Sequence, residues 1–414
     1  MKKMKIYKYI SYLFIPCLVL GTLLLSSCEE EEPGGTVKVD GSPEVHYVRV
    51  ADPARADSLL AGASLGNTVV IVGNNLADTR SVWFNDQEAT LIPTWVTNTT
   101  VFATVPNAAP QVVTDKIYLI NSVSDTLTHD FEVVIAAPRL DAAKNEWPLE
   151  GENLVIQGDF FFEPATVTFA GGVQGNIVAI TQTEMEVTVP DGAVEGPVEI
   201  TTNFGTGVSP FMVWDSRNIF LNFDDLVGNG WRTGLTENSD GPVNGNYLVV
   251  RGDIEANQRS EGEGASPLLM EHWGVRGTRP EGNFYPGFST DYNLKFEAKV
   301  NAWYGGYLNI CLAPWSHNDS NQEIWSNDLN ARAIWGPWDA EGANFETDGW
   351  VTVVIPMDDF KYYMGTDGDG NVVYTDGAFV ESAAGSMSTW LLGSPENDGS
   401  FVEFYMDNLR IVEK

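Results

Sequence analysis

Between Trp273 and Trp338 the chain concentrates side chains suited to ring stacking. Six of its thirteen tryptophans lie there, with Tyr285, Tyr292, Tyr304, Tyr307, Phe284, Phe288 and Phe296. Most of these rings adjoin Gly, Asn, Asp or Pro, as in Trp303-Tyr304-Gly305-Gly306-Tyr307 and Ile334-Trp335-Gly336-Pro337-Trp338. Core rings usually have apolar neighbours at strand spacing, whereas rings on turns and edges are often presented for recognition. A sugar suits them: its C–H face stacks on an indole or phenol while its hydroxyls reach Asn, Asp and Gln. Each stacking platform contributes on the order of 1–3 kcal/mol, by analogy with aromatic base stacking.

Strand parity sorts the candidates. Leu294, Phe296, Ala298 and Val300 alternate with Lys295, Glu297, Lys299 and Asn301, so the first set claims the core. Continued, that parity puts Trp303 on the polar face. Leu308, Ile310 and Leu312 claim the core of the next strand, leaving Tyr307 and Asn309 opposite. Trp303, Tyr304, Tyr307 and Asn309 are therefore expected to share an exposed surface. Trp273, in a loop after Glu271-His272, is either a second platform or a loop anchor. Of Trp335 and Trp338, one ring is expected exposed and one packed. Trp350 and Trp390 enter strands and read as core, and Trp315 and Trp325 lie in a polar segment and are weaker candidates.

Catalytic patterns are lacking. There is no Gly-x-Ser-x-Gly, His-Glu-x-x-His or phosphate-binding glycine loop, and His46, His129, His272 and His317 are scattered. Glu261, Glu263 and Glu271 could supply a glycosidase carboxylate pair, but acids are too frequent for that to weigh. Asp367-Gly-Asp-Gly-Asn371 lacks the glycine and glutamate of a calcium loop and reads as a hairpin turn. A calcium between the first and last strands of this region, held by Asp224, Asp225 or Asp407, has no support in the sequence. No metal and no cofactor are expected. Cys311 reads as a small buried hydrophobe.

The elements presenting these rings are β-strands. The chain has 414 residues, 43% hydrophobic and 19% charged, with 40 glycines and 21 prolines, which suggests several β-rich domains. A formal charge of −34 disfavours nucleic acid and anionic lipid as partners, and a neutral ligand fits better.

The N-terminus has four lysines, an apolar run from about Ile10 to Leu25, and then Leu25-Ser26-Ser27-Cys28. This resembles the leader and lipobox of bacterial lipoproteins, which implies cleavage after Ser27 and a lipid on Cys28. Glu29 to Glu32 follow, before Pro33-Gly34-Gly35. Residues 28–43 read as an acidic tether. The run of glutamates is similar to the signal that sends Bacteroidetes lipoproteins to the outer face of the outer membrane.

Two repeats come next. Gly66-Asn-Thr-Val-Val-Ile-Val-Gly73 corresponds to Gly151-Glu-Asn-Leu-Val-Ile-Gln-Gly158. Eleven residues beyond each second glycine stands Phe84 or Phe169, and then Val105-Pro106 or Val189-Pro190. Short alternating runs suit β-sandwiches. The pattern resembles the immunoglobulin-like IPT/TIG family, implying domains over 44–136 and 137–215 that act as a stalk. Trp83, Trp95 and Trp147 are expected in cores or interfaces.

From 216 to 414 one larger sandwich of jelly-roll type is expected, opening on Phe220-Leu-Asn-Phe-Asp-Asp225 and closing on Phe404-Tyr-Met-Asp-Asn-Leu-Arg-Ile411. The run Ala331-Arg-Ala-Ile-Trp-Gly-Pro-Trp338, with Gly349-Trp-Val-Thr-Val-Val-Ile-Pro356, resembles the glycan-binding domain of the SGBP-B, or SusE-positioned, proteins of Bacteroidetes. That resemblance implies an all-β, non-catalytic surface lipoprotein of the outer membrane. Its ligand would be a neutral plant or algal β-glycan such as xyloglucan, β-mannan or β-glucan. It would work beside a TonB-dependent transporter and that transporter's partner lipoprotein. An adhesin binding a protein is the alternative, and a glycoside hydrolase is a further one.

Overall fold

The computed structural model describes residues 41–226, 235–238, 244–254, 269–270, 282–314, 332–369, 372–377, 379, 381, 384–393 and 400–414. Over these the protein is all-β, in three successive sandwiches, and a single four-residue α-helix, Trp338–Glu341, interrupts them. No described helix is long and apolar enough to cross a membrane.

The first sandwich packs a sheet of Leu59–Leu60, Glu44–Val50, Thr68–Asn74 and Thr100–Thr104 against one of Gln87–Ala89, Thr79–Phe84, Lys116–Asn121 and Thr126–Asp130. Val69, Ile71, Val82, Phe84, Val101 and Ile117 are buried between them. The second sandwich strings seven strands from Arg139–Ala143 to Gly205–Val208 around Leu154, Ile156, Val167, Phe169 and Val187.

The repeated motif has a physical explanation. Gly66 and Gly151, its first glycines, have left-handed backbones (φ 75° and 83°), which L side chains adopt at a cost. Gly73 and Gly158, its second, lie against the preceding strand, where a Cβ would strike the carbonyl oxygen of Glu44 or Arg139. The valine of each Val-Pro pair closes the turn behind the first glycine. Gly66 N–H donates to Val105 O at 2.9 Å and Gly151 N–H to Val189 O at 3.0 Å. One local geometry is thus written twice.

The C-terminal sandwich has two sheets. One runs Leu235–Glu237, Tyr247–Ile254, Ser400–Glu413, Tyr292–Trp303, Val351–Pro356, with Ile219–Leu221 also paired to Ser400–Glu413. The opening and closing strands of this domain therefore pair. The other runs Leu269–Met270, Ser386–Leu392, Tyr307–Ala313, Arg332–Trp335, Tyr362–Thr366, Val372–Asp376. The last two strands are the hairpin expected around Asp367-Gly-Asp-Gly. Leu294, Phe296, Ala298 and Val300 face Leu308, Ile310 and Leu312 in the core.

The polar face of Tyr292–Trp303 is not solvated throughout, because the second sandwich docks on it. Glu146, only 3% exposed, bonds Lys295 Nζ at 2.6 Å through Oε1 and Arg410 Nη2 at 2.8 Å through Oε2. Arg410 also bonds both oxygens of Glu297, at 2.9 and 3.1 Å. Backbone reinforces the joint: Thr352 N–H donates to Lys144 O at 2.8 Å, and Glu146 N–H donates to Thr352 Oγ1 at 2.7 Å. Lys295, Glu297 and Arg410 are buried with Glu146.

Candidate functional site

The aromatic site grows from a turn. Gly305 and Gly306 both take left-handed backbones (φ 80° and 73°) between Tyr292–Trp303 and Tyr307–Ala313. Their carbonyls point at two indoles. Trp303 Nε1 donates to Gly305 O at 3.1 Å and to Gly306 O at 3.3 Å, and Trp338 Nε1 donates to Gly306 O at 2.6 Å. Two tryptophans are thereby fixed by one dipeptide.

Trp303 corrects the parity argument. Its ring is fully buried, stacked on Phe404 (centroids 4.5 Å, planes 8° apart) and edge-on to Trp335 at 5.0 Å. The register against Ser400–Glu413 slips between Val300 and Ala302. Such a bulge adds one residue and reverses which face the following side chains take. Trp303 is therefore a core residue and cannot meet a ligand.

Asn309 also departs from expectation. Register puts it on the face away from the core, yet it is fully buried. Its Nδ2 donates to Tyr307 O at 3.0 Å and to Tyr374 Oη at 2.9 Å, because the hairpin carrying Tyr374 curls back over this face. Asn309 therefore positions Tyr374. Trp335 is half-buried, edge-on to Phe296 at 5.3 Å and packed on the core. Trp338 is 7% exposed and is the packed ring of that pair, whereas Trp335 keeps part of its surface open.

Tyr304 and Tyr307 remain at the surface. Tyr304 is 45% exposed and meets Trp338 edge-on at 5.4 Å, and Tyr307 is half-buried and tilted against Trp338 at 5.3 Å. Tyr374 stands edge-on to Tyr307 at 6.2 Å and completes the surface. Tyr307 lies flush on the chain at Gly336, where a Cβ would come within 2.5 Å of its ring. Two tyrosine faces thus rest on a tryptophan floor, each ring braced by another. Tyr374 was missed because its reach depends on the curl of a hairpin, which residue spacing does not encode. Trp273, Trp315 and Trp325, the carboxylates Glu261, Glu263 and Glu271, and Cys28 lie outside the described residues.

Trp350 does not join the main core. It packs half-buried on Tyr247 and Tyr405, at 5.4 and 6.3 Å, on the outer face of its sheet. Trp390 pairs with Asn309 across the strands. Trp147 is buried, whereas Trp95 is 46% exposed against Phe102.

Two carboxyls are pushed up towards neutrality, Glu297 to about 7 and Asp407 to about 8, in both cases first by burial. Arg410 partly offsets the effect at Glu297, whereas the Glu297 and Asp224 carboxylates add to it at Asp407. Neither carboxyl can reach a sugar, since both side chains are fully buried. Cys311 is likewise buried, its thiol pushed up to about 11 by burial, and unsuited to nucleophilic work. A cavity of about 770 Å³ lies in the first sandwich beside Asn75, Asp78, Arg80, Asn121, Asp125 and Leu127. No aromatic ring lines it, so the tyrosine surface is the better candidate for sugar.

Fold and site together define an all-β protein with a braced aromatic surface on its C-terminal sandwich. Residues 213–413 match the family model described as surface glycan-binding protein B xyloglucan binding domain, and residues 60–131 match the IPT/TIG domain. The chain thus has the domain composition of a surface glycan-binding protein of the B type. It is similar to the crystal structure of surface glycan-binding protein PbSGBP-B from Prevotella bryantii: TM-score 0.70 and 28% identity, over 91% of this chain and 99% of that one. A second solved structure, described as SGBP-B from a complex xyloglucan utilization locus in Bacteroides uniformis, aligns at 18% identity and TM-score 0.47 over 90% and 100% of the two chains. Among curated proteins, an IPT/TIG domain-containing protein of Bacteroides ovatus is 30% identical over 171 residues, 39% of this chain. The match spans about a third of that protein's length, 33%.

Proposed function

We propose that the protein is a non-catalytic, cell-surface glycan-binding lipoprotein that captures a neutral β-glycan on the Tyr304–Tyr307 surface. The observation that carries this reading is the match of residues 213–413 to the xyloglucan-binding domain family. The braced tyrosine faces supply the chemistry such a ligand needs. Stacking on two or three rings at roughly 1–3 kcal/mol each corresponds, after ordering costs, to micromolar to millimolar affinity. Many copies on one surface raise retention by avidity.

The lipid on Cys28, the outer-membrane location and the partnership with a TonB-dependent transporter and its companion lipoprotein belong to the same proposal. The boundaries at 28–43, 44–136, 137–215 and 216–414 do so too. They are supported by three separate buried cores, one per sandwich.

Isothermal titration against xyloglucan, β-mannan, mixed-linkage β-glucan and laminarin tests the reading. Saturable binding of one of them, with no release of reducing ends, is expected. A folded protein that binds none of them, or cleaves one, contradicts it.

A further inference from the structure

We propose that Asp407, Asn408 and Asp224 hold a divalent cation, calcium by their chemistry, where the closing strand of the C-terminal sandwich bulges. The register sets the place. Lys295 and Glu297 pair with Arg410 and Asp407, so Ser400–Glu413 carries one residue more than its neighbour there. Asn408 absorbs it in a left-handed conformation, φ 50°.

Asp407 and Asn408 are both fully buried, and each keeps an acceptor oxygen with no donor, Asp407 Oδ2 and Asn408 Oδ1. Their other polar atoms are used. Asp407 Oδ1 accepts the Asn408 N–H at 2.8 Å, and Asn408 Nδ2 donates to Asn244 Oδ1 at 3.2 Å. Buried acceptors without donors are rare in folded proteins and call for a partner.

Asp224 belongs to the same place. Its Oδ1 accepts both the backbone N–H of Asn246 at 2.9 Å and Asn246 Nδ2 at 3.0 Å. The segment 244–246 thus ties Asp224 and Asn408 together. Gly245 lies against the Asp224 carboxylate, where any Cβ would strike both oxygens.

Asp224 lies at the exposed rim of the bulge, so the place opens to solvent on that side. Asp407, Asn408 and Asp224 offer oxygen alone, with no histidine or cysteine among them, which disfavours a transition metal. Two carboxylates and an amide oxygen, completed by water, are the hard donors calcium takes.

The test uses full-length protein stripped with EDTA and dialysed. Calcium and, separately, magnesium are titrated by calorimetry, and the melting temperature is read with and without each ion. The expected result is one saturable calcium per chain, a melting temperature raised by calcium, and affinity at least tenfold lower in Asp224→Asn. That variant lies at an exposed position and keeps the fold, whereas Asp407→Asn removes a buried ligand and is expected to abolish uptake. No saturable uptake in the wild type overturns the proposal and leaves a protonated Asp407 or a buried water as the partner. Weak uptake of several ions, unchanged by Asp224→Asn, overturns it equally.

Discussion

Replacing Glu146 by alanine removes the one side chain of the second sandwich that neutralises two buried cations of the third. Its carboxylate bridges Lys295 Nζ at 2.6 Å and Arg410 Nη2 at 2.8 Å, in a joint where the side chains of Lys295, Glu146 and Arg410 are 10%, 4% and 0% exposed. At an effective dielectric of 20, each unit-charge pair gains about 4 kcal/mol at a separation near 4 Å. Much of that gain offsets the desolvation of forming the pair, so the pair as a whole contributes far less. Deleting one partner differs, because the desolvation of the other is left uncompensated, and removing a partner from a buried pair costs about 3–5 kcal/mol. Glu297 still holds Arg410 in the variant, and its repulsion from Glu146 is relieved, which places the expected loss near the lower figure, about 3 kcal/mol. For a domain of this size, about 1 kcal/mol moves the melting temperature by roughly 2–4 °C. Calorimetry of Glu146→Ala should therefore show the C-terminal transition lowered by roughly 6–12 °C and uncoupled from that of the second sandwich. A shift under about 2 °C with the transitions still coincident would refute the reading of this joint as a buried ionic lock.

Four further outcomes follow from the same geometry. Trp303→Ala should lower stability by about 3–5 kcal/mol, as large core deletions do, and show as a melting shift because the ring packs on Phe404 and Trp335. Gly73→Ala and Gly158→Ala should each destabilise their own sandwich by more than about 1 kcal/mol in denaturant titrations, since the new Cβ meets a strand carbonyl. The Glu297 carboxyl is held at about 7 against 4.5 in the unfolded chain, so between these values the folded state binds a proton that the unfolded state does not. Its contribution to stability therefore grows as pH falls from about 7 towards 4.5, and the decline in melting temperature from pH 5 to pH 8 should be shallower in Glu297→Gln. A chain begun at Arg217 would expose Lys295, Glu297 and Arg410, and should melt below the longer chain while keeping its glycan affinity.

The sandwiches were legible because two local signals suffice for them. Alternation at Leu294, Phe296, Ala298 and Val300 names a core face, and the paired glycines with Val-Pro name a repeated turn. The site was legible only in part. The Tyr-Gly-Gly-Tyr turn and the indoles around it stood out by composition, but strand parity fails at a bulge, and Trp303 lies just past one. Asn309 obeys the expected parity and is buried all the same, because a hairpin distant in sequence brings Tyr374 onto it. The docking of the second sandwich was hidden for a similar reason. Lys295 and Glu297 have the pattern of a solvated face, and only the fold brings Glu146, about 150 positions earlier, against them. Periodicity reports on one strand and its nearest partners, so contacts between domains escape it.

The central claim is that Tyr304 and Tyr307 form the ligand surface. The most direct test is the affinity of full-length protein for the best of the neutral β-glycans, set beside Tyr304→Ala, Tyr307→Ala and the double variant. Stacking worth about 1–3 kcal/mol per ring predicts a roughly 5- to 150-fold loss in each single variant and no measurable binding in the double, with the melting temperature of Tyr304→Ala unchanged. Full affinity in the double variant, with the protein folded, would contradict the account and move the ligand to another face of the molecule.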